Sequence, residues 1–172
     1  MDKYRPQEGR IDTEARHPGY PLTEGGDIAE IDGHTYRLVI TPDDDVTIND
    51  YDCYGRYGWG DENRYTGQSV PPHDFDLDRT ERLTILNDVV WWERPEDFAS
   101  LPPKVQSDFR WMVSQLVSFG FSIVTVERID GTDHYGKPIV VDAESLGGVD
   151  TLERNYIGET ASDLITELQN RL

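Results

Sequence analysis

The chain has 172 residues, 34 of them acidic and 16 basic, which gives a formal net charge of −18 at pH 7. So large an acidic excess disfavours direct binding to nucleic acid or anionic lipid, because both need clusters of lysine and arginine, and it favours a basic surface of another protein as the partner. Cys53 is the only cysteine, so an internal disulfide and a multi-cysteine zinc site are excluded and a reducing, cytoplasmic setting is expected.

The N-terminal residues 1–26 contain three prolines and few apolar side chains. This composition predicts an extended N-terminal arm, followed by a single domain over residues 27–172. We expect neither secretion nor membrane insertion, because there is no apolar leader and the longest apolar-rich run, FGFSIVTV, is far below the roughly 18 residues that span a bilayer.

Two hairpins are predicted in the first part of the domain. Asp32-Gly33 separates two β-prone runs, which predicts strands over 28–31 and 34–40. Further on, RLTILNDVVWWER predicts a second hairpin with Asn87-Asp88 as its turn. Side chains alternate along a strand, so the two tryptophans of this run should lie on opposite faces.

Between these hairpins lies the stretch NDYDCYGRYGWGDEN, residues 49–63, which mixes acids, aromatic rings and glycines. Read as a calcium loop from Asp50, it offers Asp52 as a second ligand. However, Tyr54 stands where a third oxygen ligand is needed, and Asp61 replaces the longer glutamate that closes an EF-hand. We therefore predict no metal site here and no cofactor.

Helices and further strands complete the prediction. Apolar residues recur at helical spacing after Pro102-Pro103, which predicts a core helix over about 103–119. FSIVTVERI and KPIVVDAE predict two neighbouring antiparallel strands, and a last amphipathic helix is predicted over about 159–171. Hairpins followed by helix, hairpin and helix indicate an α+β fold with a largely antiparallel sheet.

The runs VVWWERPEDFA (89–99) and DHYGKPIVVDAESLGGVD (133–150) carry a resemblance to known proteins. They resemble uncharacterised proteins of actinobacterial phages, which have a tryptophan-rich strand, a Tyr-Gly-basic-Pro strand and a Ser-Leu-x-Gly turn. This chain has Gly147 where that family usually has tryptophan. The resemblance implies a phage source, hence the cytoplasm of the host cell, and no catalytic residues.

No catalytic motif surrounds any of the four histidines. A dyad of Cys53 with a histidine distant in sequence stays open. Asp142 and Glu144, at the end of a buried strand, form the best candidate acid–base pair, although capping of the turn at 145–148 is the favoured interpretation. We predict that the chain is not an enzyme, and a metal-dependent enzyme ranks third among its functions.

Recognition of a protein surface is the leading hypothesis. Tyrosine and tryptophan supply large, rigid contact areas, and acids beside them suit a basic partner. An alternative role for the stretch is a glycine-rich connection between strands, and the acidity alone could serve solubility or salt tolerance. The predicted partner-binding residues are Asp43, Asp44, Asp45, Asp50, Asp52, Tyr54, Tyr57, Trp59, Asp61 and Glu62.

The predicted function is thus that of an acidic binding protein, a phage inhibitor or modulator that occupies a cationic site, such as a nucleic-acid-binding site, on a host protein. DNA mimicry is the stronger form, as in counter-defence or host takeover. It needs the charge to be concentrated about fourfold on one face, since a globule of this mass exposes about 480 Å² per net charge against roughly 110 Å² for duplex DNA. The runner-up is a virion assembly protein that uses its N-terminal arm.

Overall fold

The computed structural model describes residues 19–85, 87–152 and 154–172. Two helices and antiparallel strands confirm the predicted α+β class. The strands are β1 (Ile28–Ile31), β2 (His34–Asp43), β3 (Arg56–Gly58), β4 (Asp61–Glu62), β5 (Ser69–Val70), β6 (Thr80–Ile85), β7 (Asp88–Glu93), β8 (Phe121–Thr132) and β9 (Pro138–Val149), and the helices are α1 (Pro103–Phe119) and α2 (Arg154–Gln169).

Contacts divide the chain into two compact units, where the sequence predicts one domain. The α1 unit comprises the described residues of 45–120, and the α2 unit comprises those of 19–44 and 121–172. Each unit has one helix: the α1 unit combines α1 with the sheet β3-β7-β6 and the two-stranded sheet β4-β5, and the α2 unit combines α2 with the sheet β1-β2-β8-β9. In the described part of the chain, neither helix is long and apolar enough to cross a membrane.

The α2 unit is a four-stranded antiparallel sheet. Its first hairpin turns at the predicted Asp32 and Gly33, whose φ angles of 51° and 77° give the two left-handed residues of a type I′ turn. The long strands β2 and β8 then pair over nine positions, from Thr35 opposite Ile129 to Asp43 opposite Phe121. Strand β9 pairs with β8 and carries several register shifts.

Helix α2 supplies the apolar side chains that cover this sheet. It begins five residues before the predicted start at 159, because Ile157 extends the buried stripe of Ala161, Leu164, Ile165 and Leu168 toward the N-terminus. Leu22 is buried in the same core, so the end of the predicted arm packs against the unit. Residues 1–18 of that arm lie outside the described residues. The buried cluster comprises Leu22, Tyr36, Leu38, Val124, Val126, Val149, Ile157, Ala161, Leu164, Ile165 and Leu168.

The α1 unit is built around an aromatic core. Trp92 of β7 is fully buried and Trp91 is half-buried, which agrees with their predicted placement on opposite faces. Helix α1 has the predicted bounds and buries Phe109, whose ring stacks on Trp92 with centroids 5.9 Å apart. Asp88, predicted as part of the turn between β6 and β7, instead belongs to β7 and pairs with Ile85.

Candidate partner-binding surface and adjoining cavity

The structure divides the ten predicted binding residues between the two units. Asp43 and Asp44 belong to the α2 unit, and the other eight belong to the α1 unit. Asp43 has a structural role, because its carboxylate accepts a hydrogen bond of 2.7 Å from the backbone N–H of Gly148. Asp44 and Asp45 are exposed.

Two short 3-10 turns, Ile48–Asp50 and Asp52–Tyr54, hold the first part of the predicted stretch. Asp50 caps the first turn, since its carboxylate accepts the N–H of Thr47 at 2.8 Å. The Asn49 side chain bonds both the N–H and the carbonyl of Tyr57, at 2.8 and 3.1 Å. The stretch is therefore fixed to β3 by its own hydrogen bonds.

Tyr54 is only 4 % exposed, so the prediction that it anchors a partner is wrong. Its ring lies against Phe109, with centroids 6.5 Å apart, and its carbonyl accepts the indole N–H of Trp92 at 2.8 Å. The turn at Gly55 explains this placement. Gly55 has a φ of 75°, and a Cβ there would stand 2.1 Å from the Glu93 carbonyl oxygen, so the chain presses against β7 and turns Tyr54 inward.

Trp59 is 59 % exposed, more than either of the other two aromatic residues of the predicted set. It opens the segment 59–70, here called the Trp59 hairpin, in which β4 pairs with β5. Asp61 and Glu62 are both exposed on β4, whereas Tyr57, on the preceding strand, is half-buried opposite Trp92. The hairpin thus unites three predicted residues, Trp59, Asp61 and Glu62, on one exposed element.

The Trp59 hairpin is held in place through Trp91. The indole N–H of Trp91 donates to the Ser69 hydroxyl at 2.9 Å. Gly60 has a φ of 73°, and a Cβ there would lie 2.1 Å from the Val70 carbonyl oxygen and 2.6 Å from the Trp91 ring. Tyr65, 88 % exposed, lies in the loop between β4 and β5 and adds a second exposed ring that the predicted residue set omits.

A cavity of about 640 Å³ adjoins the other end of the stretch, entirely within the α1 unit. It is formed by the two 3-10 turns with the start of β3, by Arg79 just before β6, by the residues at and after the end of β7, and by the segment from Leu101 into the first half of α1. The sequence does not predict it. The lining residues are Asn49, Tyr51, Asp52, Cys53, Gly55, Arg56, Arg79, Glu93, Arg94, Pro95, Glu96, Asp97, Leu101, Val105 and Phe109.

Glu93 is the centre of an ion-pair network in the cavity wall. Its carboxylate accepts hydrogen bonds of 2.8 Å from the Arg56 Nε and 2.5 Å from the backbone N–H of Asp76. The hydrogen bond from Arg56 lowers the pKa of Glu93, outweighing the effect of burial, and the same bond raises the pKa of Arg56. Arg56 also reaches the Asp74 carboxylate at 2.9 Å. An arginine inside the acidic stretch was the available sequence signal for this network.

Asp142 and Glu144, the candidate acid–base pair, form ion pairs and hydrogen bonds within the chain. Arg171, just beyond the end of α2, pairs with both carboxylates, and its Nη1 lies 3.2 Å from the Asp142 Oδ1. Each carboxylate also accepts the N–H of the next residue on β9, at 2.9 Å for Ala143 and 3.3 Å for Ser145. The predicted turn at 145–148 is absent, because these residues continue β9, so the two acids are strand residues rather than the cap of a turn.

Within the part of the chain that the structure describes, no three His, Cys, Asp or Glu side chains are grouped in a way that could hold a metal ion. Comparison with known proteins yields no matching family model, no similar characterised protein and no similar solved structure. The function must therefore be inferred from the exposed surface and the cavity themselves.

Proposed function

We propose that this chain is an acidic binding protein that occupies a basic surface of another protein, and that the Trp59 hairpin holds the complex together. The exposure of Trp59 carries the proposal. An indole that is 59 % exposed on a hydrogen-bonded hairpin is available to fill a partner's pocket without reordering of the backbone. Tryptophan is also among the residue types most enriched at binding hot spots.

Charge supports the choice of a basic partner. Asp61 and Glu62 are exposed directly after Trp59, and the whole chain carries a formal charge of −18. Acids around an aromatic anchor steer a basic partner toward it and disfavour acidic competitors. The resemblance to phage proteins extends the proposal to a viral product that acts on a host protein in the host cytoplasm.

The experiment compares two tryptophans of the same unit. Basic proteins are first recovered from host lysate on the immobilised chain, and one that elutes at high salt is purified for binding kinetics. Trp59→Ala should raise its dissociation rate by about 30-fold, the equivalent of about 2 kcal/mol for a hot spot. Trp111→Ala is the matched control, because Trp111 is also exposed but lies on α1, outside the hairpin.

Equal dissociation rates for Trp59→Ala and the unchanged chain, with both folded, would refute the hairpin as the anchor. If no host protein is recovered and the free chain self-associates in solution, the assembly hypothesis is favoured over host-protein binding.

A further inference from the structure

The cavity of the α1 unit has an apolar floor. Val105 and Phe109 of α1 are both buried core residues that also line the cavity, and Leu101 and Pro95 add apolar surface beside them. At about 640 Å³, the cavity falls within the volumes of roughly 300 to 1,000 Å³ that are typical of ligand sites. It is large enough to receive a long side chain from another molecule.

The three arginines of the wall already donate to groups of the chain itself. Arg56 bonds Glu93 and Asp74. Arg79 reaches the Asp76 carboxylate at 3.2 Å, and Arg94 donates to the backbone carbonyls of Arg79 and Asp78 at 3.0 and 2.7 Å. Because their donors are directed to these acceptors, an anionic ligand would have to break bonds that the fold already makes.

Two acidic side chains at the cavity are more accessible to a ligand than the three arginines. The Asp52 carboxylate is exposed and has no hydrogen-bond or ion-pair partner among the described residues. The Glu96 side chain is 91 % exposed, and its nearest cation, Arg79, is 3.9 Å away. An apolar floor with accessible carboxylates matches a cationic group on an aliphatic stem, since the stem is buried while the charge stays at the acids.

The Asn49 side chain links the cavity to the backbone just before the Trp59 hairpin. Asn49 lines the cavity and holds the backbone of Tyr57, two residues before Trp59. We propose that the cavity accepts a lysine or arginine side chain of the partner while the Trp59 hairpin holds the same partner. This inference rests on the proposed function and adds the chemistry of a second contact.

The first test titrates small probes into the chain and follows the backbone amide NMR signals of the lining residues. n-Butylguanidinium carries the cation on an aliphatic stem, n-butylurea is its neutral isostere, and butyl phosphate is the anionic control. We expect n-butylguanidinium to shift the amides of Val105 and Phe109 and to bind at least about fivefold more tightly than n-butylurea, the ratio for about 1 kcal/mol of ion pairing. Equal binding of the two, tighter binding of butyl phosphate, or no shift at all would overturn the proposal.

Two variants locate the binding. Asp52→Asn should weaken n-butylguanidinium binding about fivefold, whereas Asp88→Asn, an equal change in charge at an exposed position outside the cavity, should leave it within about twofold. Equal effects of the two variants would show that net charge alone attracts the probe. A second approach fills the cavity with a larger side chain, as in Leu101→Trp. If that variant does not fold, Asp52→Asn still tests the proposal.

Affinity measurements with the partner distinguish this inference from the proposed function. A folded Leu101→Trp variant should lose both probe binding and part of its affinity for the partner. Loss of probe binding with unchanged partner affinity would show that the cavity serves a free cation instead, which overturns the inference and leaves the Trp59 hairpin untouched. If Trp59→Ala leaves the affinity for the partner unchanged while Leu101→Trp lowers it, the role of the hairpin is refuted and the cavity contact is supported.

Discussion

Glu93 is a carboxylate that the fold buries in a chain otherwise covered with acids. Burial of a charge is unfavourable unless hydrogen bonds and an opposite charge compensate for it, and here Arg56 and the N–H of Asp76 supply both. The network joins β3, β7 and the loop before β6, and it forms part of the cavity wall. The stability of the α1 unit should therefore depend on the ionisation of this residue.

Glu93→Gln should lower the free energy of unfolding at pH 7 by about 1 to 3 kcal/mol, because the amide keeps the shape of the side chain but loses the charge-assisted bonds. The pKa of Glu93 is lowered in the folded state. Its stabilising contribution is thus complete above the unfolded pKa of about 4.3 and is lost as the pH falls through the lower folded value.

Denaturant unfolding of both proteins from pH 7 to pH 3 measures this effect. The difference in stability between the unchanged chain and Glu93→Gln should be constant down to about pH 5.5 and should shrink below about pH 4.3. A difference that stays constant to pH 3 would contradict the role of the ionised carboxylate. Asp78→Asn, at an exposed acid of the same unit, provides the control and should change stability little.

The sequence does not show which aromatic residues of the stretch are buried and which are exposed. Trp59 and Tyr54 both lie among glycines and acids, yet one is exposed and the other is in the core. In 3-10 turns and short strands, neither the period of 2 nor that of 3.6 applies, so spacing does not indicate which side chain turns inward. For Tyr54, the close packing of the Gly55 backbone against Glu93 turns the side chain into the core.

At the scale of the elements, α1 was predictable because several local signals agree. Pro103 opens the helix, Gly120 follows it with a φ of 74°, and the apolar spacing between them indicates a single face. The buried residues Val105, Phe109, Met112, Val113 and Leu116 recur at the helical spacing from which the helix is predicted. Partition of the strands into separate sheets was not predictable, since pairing partners distant in sequence leave no local pattern.

Phe109→Ala tests the importance of α1 for folding. The Phe109 ring is 4 % exposed and contacts the rings of Trp92 and Phe98, with centroids 5.9 and 5.7 Å away. Removal of the ring should lower the free energy of unfolding by about 3 to 5 kcal/mol, because it leaves a void between these aromatic rings. Thermal and urea unfolding measure the loss.

Ser107→Ala, at an exposed position of α1, is the control for Phe109→Ala and should stay within about 0.5 kcal/mol of the unchanged chain. Similar melting temperatures for the two variants would contradict the packing described for α1.

Strand β9 shows why the predicted acid–base pair has another use. In the described chain β9 is an edge strand, paired only with β8, and exposed apolar side chains at Ile139, Val140 and Val141 make it open to pairing with other chains. Asp142 and Glu144 engage two N–H groups of this strand, and Arg171 holds both carboxylates. The sequence places these acids on a strand, but their contact with the C-terminal end of α2 depends on the tertiary fold.

At the scale of the whole molecule, many basic side chains are engaged inside the chain. Arg37 pairs with Glu127, and Arg110 pairs with Glu81, in addition to the arginines of the cavity wall. These pairs neutralise one another, so the net charge of −18 is carried by other acids, among them the exposed Asp61 and Glu62. The net field of the chain is therefore negative, and the Trp59 hairpin contributes to it two exposed acids against one basic residue, Arg64.

Charge and aromatic contact should consequently act on different steps of binding. Exposed charges attract a partner before contact, and salt screens this attraction beyond about 8 Å at physiological ionic strength. The double variant Asp61→Asn, Glu62→Gln should therefore slow association with the basic partner by several-fold and flatten the dependence of the association rate on salt. Its dissociation rate should change much less than that of Trp59→Ala.

Stopped-flow or surface kinetics over a series of salt concentrations measure both rates. The double variant Asp78→Asn, Asp88→Asn provides a matched control, because it removes the same charge from exposed positions of the same unit outside the hairpin. Since charges near the contact steer most strongly, this control should retain most of the association rate and of its salt dependence. Equal slowing by the two double variants would show that steering comes from the net charge of the chain, and the acids of the Trp59 hairpin would then have no special part in recognition.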